Sequence, residues 1–219
     1  TFSSKVYAIR QGIERLDGVS YDYIGNLDAD LSFAPDYFAV LLSRMDTEPK
    51  LGIAGGMIEE RESFSGRLQF VETGQSVAGA VQMFRRACYD QIGGYMPLRY
   101  GGIDSAAEFS ARMHGWDTRT FNDLPVGHYR RMGSSGRGVL RSFYDMGRRE
   151  ASLGYHPAFE LIRSANRMLA SPVFVGGLVQ FAGYVVAKLR REPIALPVDC
   201  AAFLRKEQTA RMKRLIGLK

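Results

Sequence analysis

Residues 21–31, which read YDYIGNLDADL, constrain the fold of this chain more than any other stretch. Their aromatic and β-branched side chains favour extended structure, and Leu27 is the last apolar residue before Asp28 and Asp30. The pattern predicts a buried strand that runs into a loop carrying two carboxylates. In an open α/β sheet, ligands bind beyond the carboxyl ends of the strands, so this loop is a candidate ligand site.

The spacing alone leaves two interpretations of Asp28 and Asp30 open. Two carboxylates separated by one residue can approach a hard divalent cation, which can in turn hold phosphate oxygens. Alternatively, the aspartates form an Asx-turn and a helix cap, because Pro35 and Asp36 begin a helical pattern shortly afterwards.

Helical and extended patterns alternate along the first part of the chain. Apolar residues recur at spacings of three and four over residues 4–16, and a second helical pattern covers residues 35–45. An apolar run with three glycines over residues 51–58 predicts another buried strand. Together with the strand that ends near Asp28, this alternation predicts a mostly parallel sheet covered by helices.

The patterns beyond residue 58 predict a further group of short elements. In order, they are a short strand at 67–71, a strand at 77–84, a helix at 85–92, a helix at 103–114 and a strand at 116–121. Gly79 lies within an apolar stretch, where the missing side chain allows a ligand or another backbone to come close.

Asp104 lies at the start of the helix predicted at 103–114. There its carboxylate can cap free N–H groups, and the helix terminus favours a negative charge. A capping role explains this aspartate as well as a catalytic role does. Glu108 and Arg112 follow at intervals of four residues, a spacing typical of an ion pair that supports the helix.

His128 is followed by Arg130, Arg131 and a loop rich in Gly and Ser at residues 133–136. Guanidinium groups and a glycine-rich loop are typical of phosphate binding. A single histidine is more often a structural residue, so the functional interpretation of His128 depends on these neighbours.

Four segments in this order carry a resemblance to a known family: YIGNLDADLSFAPDYF, GAVQMFRRACYDQIGGY, GGIDSAAEFSARMHGWDTRTF and GHYRRMGSSG. Together they resemble the family 2 glycosyltransferases of the GT-A fold over residues 5–155. The resemblance implies an α/β fold with a partial GT-A, Rossmann-like mixed sheet flanked by helices. It divides the chain into a catalytic portion at residues 1–155 and a basic helical extension at residues 156–219.

The resemblance also implies a set of ligands. In the family, the Asp-x-Asp motif at the end of a strand binds a divalent metal, Mn or Mg, and the diphosphate of a nucleotide sugar such as a UDP-sugar. This motif matches Asp28 and Asp30. The family's downstream histidine lies near the metal, which implies His128 as a third ligand, and the adjacent Arg130 and Arg131 are expected to bind the donor phosphates.

An acidic residue at the start of the later helix is the family's general base, which matches Asp104. The family more often has an acidic pair there, whereas this chain supplies a single acid, with Glu108 as the nearest rival. The implied reaction transfers one sugar, with inversion, to a hydroxyl of a saccharide or a lipid-linked acceptor. The Gln/Arg-x-x-Arg-Trp signature of processive synthases is absent after residue 127, which favours single additions in polysaccharide or glycolipid synthesis.

The start of the sequence departs from the family pattern. The family begins with one or two βα units that hold the nucleotide base and ribose, whereas this sequence opens in the helix before the Asp-x-Asp strand. We therefore expect the chain to be an excerpt of a longer transferase. The alternative is a non-catalytic fragment, or a scaffold or binding module that docks to a membrane surface.

The formal charge of +6 is unevenly distributed. Residues 1–118 contain 11 Lys and Arg against 16 Asp and Glu, a net −5, while residues 119–219 contain 18 against 7, a net +11. A basic half of this size indicates an anionic partner such as phosphate or a membrane surface. Alternatively, the charges simply solvate helices, because the arginines are spread along the segment and not packed into one block. Nucleic acid is not expected, because no aromatic-rich basic motif is present.

Cysteine use and the apolar tail bear on location. Cys88 and Cys200 form neither a disulfide framework nor a zinc pattern, which predicts a cytoplasmic protein. A peripheral position at the inner face of the membrane is a further expectation. Residues 173–189 form an apolar run with three competing interpretations: a buried helix, an interfacial helix, or a span, which needs about 20 apolar residues. A helix at 159–169, broken at Pro172, precedes the run, and a basic amphipathic helix at 201–219 follows it.

Overall fold

The structure is a computed structural model that describes residues 2–60, 76–129, 138–215 and 217. Its contacts divide the chain into two compact units. The first unit carries the β-sheet with its helices, and the second carries the C-terminal helices. The predicted strand at 67–71 lies outside the described residues.

The first unit contains four helices and five strands in its described part. They are α1 (Phe2–Glu14), β1 (Tyr23–Leu27), β2 (Leu31–Ser32), α2 (Tyr37–Thr47), β3 (Leu51–Glu60), β4 (Val81–Arg85), α3 (Arg86–Ile92), α4 (Ile103–Met113) and β5 (Asp117–His128). The strands form one sheet in the order β1-β4-β3-β5-β2. This mixed α/β sheet flanked by helices confirms the predicted fold class.

The prediction of a mostly parallel sheet is wrong. β4 runs antiparallel to both β1 and β3, and β2 runs antiparallel to β5, so β3 and β5 are the parallel neighbours in the described sheet. The alternation of helices and strands does not fix strand direction, because antiparallel neighbours need no helical crossover. β1, β3 and β5 nevertheless run the same way, and their carboxyl ends therefore share one edge of the sheet.

Two strand boundaries differ from the sequence prediction. β5 continues past residue 121 to His128, although Asn122, Asp123 and Pro125 disfavour strands. The register shifts here, with Gly56 opposite Phe121 and the next residue of β3 opposite Pro125, so the unfavourable residues are accommodated in an irregularity. β4 begins at Val81, four residues later than predicted, because the residues before it form a turn.

The sheet packs against α2 through side chains that recur every four residues. Tyr37, Leu41 and Met45 are all buried on this helix. The Tyr37 hydroxyl accepts a hydrogen bond from the backbone N–H of Gly56 at 2.8 Å, so the phenol is buried with its polar atom satisfied. A Cβ on Gly56 would lie 2.2 Å from the Leu124 carbonyl oxygen, and glycine is therefore required where these strands and α2 meet.

The second unit contains α5 (Val139–Ser152), α6 (Pro157–Arg167), α7 (Val175–Leu189) and α8 (Val198–Leu215). The helices expected before and after the apolar run are therefore present as α6 and α8. None of the described helices combines the length and the apolarity that a membrane span requires. The predicted division after residue 155 stays a prediction, and the contacts group α5, which precedes it, with the later helices.

Glycines bring α5 and α7 into backbone contact. A Cβ on Gly147 of α5 would lie 1.9 Å from the Gln180 carbonyl oxygen, and one on Gly183 of α7 would lie 2.1 Å from the Tyr144 carbonyl oxygen. No side chain fits at such distances, so the two helices approach each other only because both positions lack a Cβ.

Two carboxyl groups are fully buried beside this contact. Glu150 and Glu160 share one partner, the amide of Gln180, which donates to them at 3.1 and 3.0 Å. Ser164 also donates to Glu160, and a guanidinium nitrogen of Arg163 lies 3.3 Å from Glu150. Burial, and then the neighbouring charge of Glu150, raise the pKa of Glu160 to about 8. Burial therefore favours the protonated form of the Glu160 carboxyl in the fold.

We predict that Gly183→Ala destabilises the second unit by about 3 kcal/mol, because the new methyl group forces α7 away from α5. Hydrogen exchange of the α5 and α7 amides in the full chain measures the loss locally. Gly12→Ala is the matched control, since a Cβ on this helical glycine meets nothing within 4 Å and is expected to stabilise α1 slightly. Unchanged protection of α5 and α7 in Gly183→Ala would contradict the backbone contact.

Candidate active site at the carboxyl edge of the sheet

Three candidate residues lie at the edge where β1 and β5 end. Asp28 directly follows the last residue of β1, and His128 is the last residue of β5. The short strand β2 pairs Leu31 with His128 and Ser32 with Gly127. β1 pairs with β4 before the loop that carries Asp28 and Asp30, and β2 pairs with β5 after it, which holds the Asp30 end of the loop beside His128.

Asp30 is held next to His128 by its backbone and its side chain. The backbone N–H of Tyr129 donates to the Asp30 carbonyl at 3.1 Å, and Nε2 of His128 lies 3.5 Å from Oδ1 of Asp30. The imidazole is buried, and its Nδ1 has no hydrogen-bond partner among the residues that the structure describes. A buried nitrogen without a partner is costly, but Nδ1 points away from the Nε2 that approaches Asp30 and adds no donor to that pair.

Asp28 has a different partner, which the sequence did not indicate. Its Oδ1 accepts a hydrogen bond from Nζ of Lys5 at 2.7 Å, and both side chains are more than one third exposed. Its backbone N–H donates to the Ala80 carbonyl at 3.0 Å. Lys5 belongs to the predicted first helix, but a lysine on a helix carries no signal that points to a carboxylate more than twenty residues away.

Carboxylate oxygens and an imidazole nitrogen are suitable donors for Mn²⁺, and Asp30 and His128 bring one of each together. In the described part of the chain, no three such side chains are close enough to hold a metal ion as a group. Asp28 is engaged by Lys5 instead. The adjacent pair fits a cation whose remaining ligands are water or phosphate oxygens, whereas the three-residue set of Asp28, Asp30 and His128 stays a prediction.

The side chain of Asp104 contacts Gly79, near the same edge of the sheet. The aspartate lies in the first turn of α4, inside the helix rather than before it, and its carboxylate packs directly on the glycine. A Cβ on Gly79 would lie 2.7 Å from Oδ2 of Asp104, so only glycine leaves room for this carboxylate. The side-chain amide of Asn26, near the end of β1, donates to the Gly79 carbonyl at 2.7 Å.

The turn at Gly79 and Ala80 therefore connects two of the candidate carboxylates. Asp104 contacts Gly79 with its side chain, and Asp28 binds Ala80 with its backbone. Consecutive Cα atoms are about 3.8 Å apart, so both aspartates lie against the same short piece of chain. The sequence singled out Gly79 as a place of close approach, and the structure shows that Asp104 is what approaches.

Glu108 is a core residue rather than an acid at this edge. It is 2% exposed, and its Oε1 accepts hydrogen bonds from the Val77 N–H at 2.6 Å and from the Gln82 amide at 3.2 Å. The hydroxyl of Tyr95 donates to Gln82 at 2.6 Å. Arg112 lies 3.9 Å away at the predicted spacing of four residues. Glu108 therefore fixes the start of the turn that Asp104 packs on.

Burial raises the pKa of Glu108 to about 8, although the Val77 hydrogen bond and the charge of Arg112 oppose the shift.

A cavity of about 310 Å³ lies elsewhere in this unit, between α1 and the β1 side of the sheet. Its walls are mainly apolar and include Asn26 and Leu27, but none of the candidate carboxylates. Arg130 and Arg131 lie outside the described residues.

No protein-family model matches the chain, and neither does any curated protein. Among solved structures it is similar to the mannosyltransferase PcManGT from Pyrobaculum calidifontis in complex with GDP-Man and Mn²⁺, with a TM-score of 0.44, 13% identity, and coverage of 91% of this chain and 58% of that one. It is also similar to GalNAc-T7 with UDP, GalNAc and Mn²⁺, with a TM-score of 0.48, 12% identity, and coverage of 93% and 43%. The chain thus spans about half the length of these proteins, and similarity at this level carries no inference about its chemistry.

We predict that Glu108→Gln makes the stability of the first unit less dependent on pH. The Glu108 carboxyl has a folded-state pKa of about 8 against 4.5 ordinarily, so the fold retains a proton that the unfolded chain releases. Stability is therefore lost as pH rises from about 4.5 through about 8, by up to about 1.4 kcal/mol per pH unit for one group.

Urea unfolding of the full chain between these pH values measures the effect. Glu160 in the second unit has a similarly raised pKa and adds its own slope, so the test is the difference between wild type and Glu108→Gln. Glu14→Gln on the exposed surface of α1 is the control and is expected to keep the wild-type slope. Parallel curves for wild type and Glu108→Gln would show that Glu108 is ionised in the fold.

Proposed function

We propose that the first unit is the catalytic portion of a glycosyltransferase related to family 2 enzymes of the GT-A fold. The proposed enzyme moves one sugar from a nucleotide-diphosphate sugar, such as a UDP-sugar, to an acceptor hydroxyl. The observation that carries this proposal is the approach of Asp30 to His128, 3.5 Å apart. Asp28, two residues before Asp30, binds the turn that Asp104 packs on. Three of the four sequence motifs that carry the family resemblance supply these residues, and the other begins at Gly79.

The proposed donor site lies at Asp30 and His128. A divalent cation, Mn²⁺ or Mg²⁺, would neutralise the charge of the leaving diphosphate when bound there. Asp30 and His128 are the adjacent donors, and Asp28 joins them if it exchanges the Lys5 ammonium for the cation. Arg130 and Arg131 are proposed to bind the diphosphate oxygens.

Asp104 is the proposed general base. As the acceptor oxygen forms its bond to the anomeric carbon, the bond from that carbon to the diphosphate breaks, and Asp104 takes the proton of the acceptor hydroxyl. A single displacement of this kind inverts the anomeric centre and needs no nucleophilic side chain. The first turn of α4 stabilises the negative charge that the base requires. Glu108 is less suited, because its carboxylate is enclosed by Val77 and Gln82.

The acceptor is proposed to be a saccharide or a lipid-linked acceptor in polysaccharide or glycolipid synthesis at the cell envelope. The basic C-terminal half is consistent with an acceptor at an anionic surface, which would place the protein in the cytoplasm against the inner face of the membrane. A second candidate function is a non-catalytic binding module. It is favoured by the ion pair between Lys5 and Asp28, which occupies one of the expected metal ligands.

We predict that Asp104→Asn lowers kcat by about 10²-fold or more without weakening donor binding, because only the proton transfer is lost. Asp30→Asn should weaken Mn²⁺-dependent donor binding by more than about tenfold, because a charged ligand is removed. The measurement is sugar transfer or donor hydrolysis by the native-length protein with a panel of nucleotide sugars and Mn²⁺, together with donor affinity.

Asp90→Asn is the matched control. It makes the same carboxylate-to-amide change on α3, where the side chain is exposed and paired with Arg86. Activity in Asp30→Asn and Asp104→Asn equal to that of Asp90→Asn would refute the catalytic assignment. Nucleotide-sugar binding that persists without any turnover in the wild type would instead support the binding module.

A further inference from the structure

The second unit exposes a group of large apolar side chains on α7 and in the turn that leads into it. We call this group the outer apolar face, and its members are Leu169, Val173, Phe174, Val175, Leu178 and Leu189. They are between 43% and 80% exposed. Scattered apolar residues are normal on a surface, but a contiguous patch marks a place of interaction.

α7 is apolar on two opposite sides. Its inner side carries the glycines that touch α5 and α6, together with Tyr184 and Ala187. Val175, Leu178, Ala182, Val185 and Leu189 recur at spacings of three and four and line the outer side. The polar groups of the helix are the amide of Gln180 and the hydroxyl of Tyr184, which are both buried, and the ammonium of Lys188 near its end. A helix that faces only water on its outer side is typically polar there, so the apolar outer side of α7 is unusual for a solvated surface.

The turn before α7 holds its apolar side chains outward in a fixed conformation. Phe174 has a φ of +60°, a backbone conformation that is costly for an aromatic residue, and its ring is 64% exposed. The Phe174 N–H donates to the Met168 carbonyl at 2.9 Å, and Arg167 donates to the Ser171 carbonyl at 2.8 Å. A strained and exposed phenylalanine in a turn that two hydrogen bonds hold is more consistent with a function than with a loose loop.

The charge around this face indicates what covers it. Between residues 161 and 191 the chain has five Lys and Arg and no Asp or Glu. Arg190 and Arg191, at the end of α7, are exposed. Apolar side chains flanked by basic residues fit the boundary between the acyl chains and the negative headgroups of an anionic bilayer. A 15-residue helix is about 22 Å long, less than the roughly 30 Å of a hydrocarbon core, so α7 would lie along the surface.

We propose that the outer apolar face is a membrane-docking surface. The turn before α7 and the outer side of the helix enter the headgroup region of an anionic bilayer, and Arg190 and Arg191 bind its phosphates. This gives the membrane association in the proposed function a specific surface. The docking proposal is tested by lipid binding alone. It can therefore fail while sugar transfer is observed, and the reverse also holds.

The first test is co-sedimentation of the full chain with vesicles of phosphatidylcholine alone and of phosphatidylcholine with phosphatidylglycerol in equal parts. Wild type is expected to bind the mixed vesicles. Phe174→Ser combined with Leu178→Ser should reduce the bound-to-free ratio more than about tenfold, because the bilayer no longer buries these two apolar side chains. Arg190→Glu with Arg191→Glu should lose the preference for the anionic vesicles.

Val198→Ser is the matched control, because Val198 is 89% exposed in the same unit but lies outside the outer apolar face. It is expected to bind vesicles like wild type. A second measurement uses Phe174→Trp, whose added fluorescence should shift to the blue with mixed vesicles, whereas that of Val198→Trp should not. This readout compares folded proteins directly and does not depend on the serine variants remaining stable.

Three results would overturn the proposal. The first is a folded wild-type protein that binds neither kind of vesicle. The second is equal vesicle binding by the serine double variant, the control and wild type. The third is a wild-type dimer that becomes monomeric in Phe174→Ser with Leu178→Ser and has no affinity for vesicles, which would show that a second copy of the chain covers this face.

Discussion

The pairing of the end of β5 with a strand on each side is the interaction on which the candidate site depends. His128 lies opposite Glu60 of β3 and opposite Leu31 of β2. The second of these pairs is what turns the chain back after Asp28 and brings Asp30 against the imidazole. Without that two-residue strand, the aspartates would lie on an unpaired loop, and their distance from His128 would not be fixed. The chemistry proposed for this edge thus begins with backbone hydrogen bonds, not with the carboxylates themselves.

A second constraint holds the turn between those carboxylates in place. Glu108 accepts the Val77 N–H, Asn26 donates to the Gly79 carbonyl, and Asp28 donates through its backbone to Ala80. Groups on α4 and at the end of β1 thus contact Val77, Gly79 and Ala80, and Asp104 packs on Gly79. Preorganisation of this kind is what a site needs if a base and a donor are to be held in a productive geometry. It also explains why a carboxyl group as unfavourable to bury as Glu108 is retained in the core.

Much of the fold was predictable from periodicity, because most of the helices and β1 and β3 have strong apolar patterns, but α5 and the two-residue β2 were not predicted. The direction of β4 could not be predicted, because its sequence is equally suited to a parallel and to an antiparallel neighbour. The second half of β5 was missed because Asn122, Asp123 and Pro125 disfavour a strand that tertiary pairing nevertheless forms. At the site, Asp28, Asp30, Asp104 and His128 were chosen from motifs and their roles stay predictions, whereas the Lys5 contact and the burial of Glu108 depend on packing between distant segments. Arg130 and Arg131 remain predictions.

The central claim is that Asp30 and His128 together form the cation side of a donor site. Pulsed electron paramagnetic resonance of Mn²⁺, added to the native-length protein with UDP or GDP, tests it directly, because a coordinated imidazole couples to the electron spin through its nitrogen. The account predicts a nitrogen coupling in wild type that disappears in His128→Gln and persists in His114→Gln, whose histidine is bonded to the Ser110 carbonyl in α4. Bound Mn²⁺ without nitrogen coupling, or with a coupling that survives in His128→Gln, would contradict it.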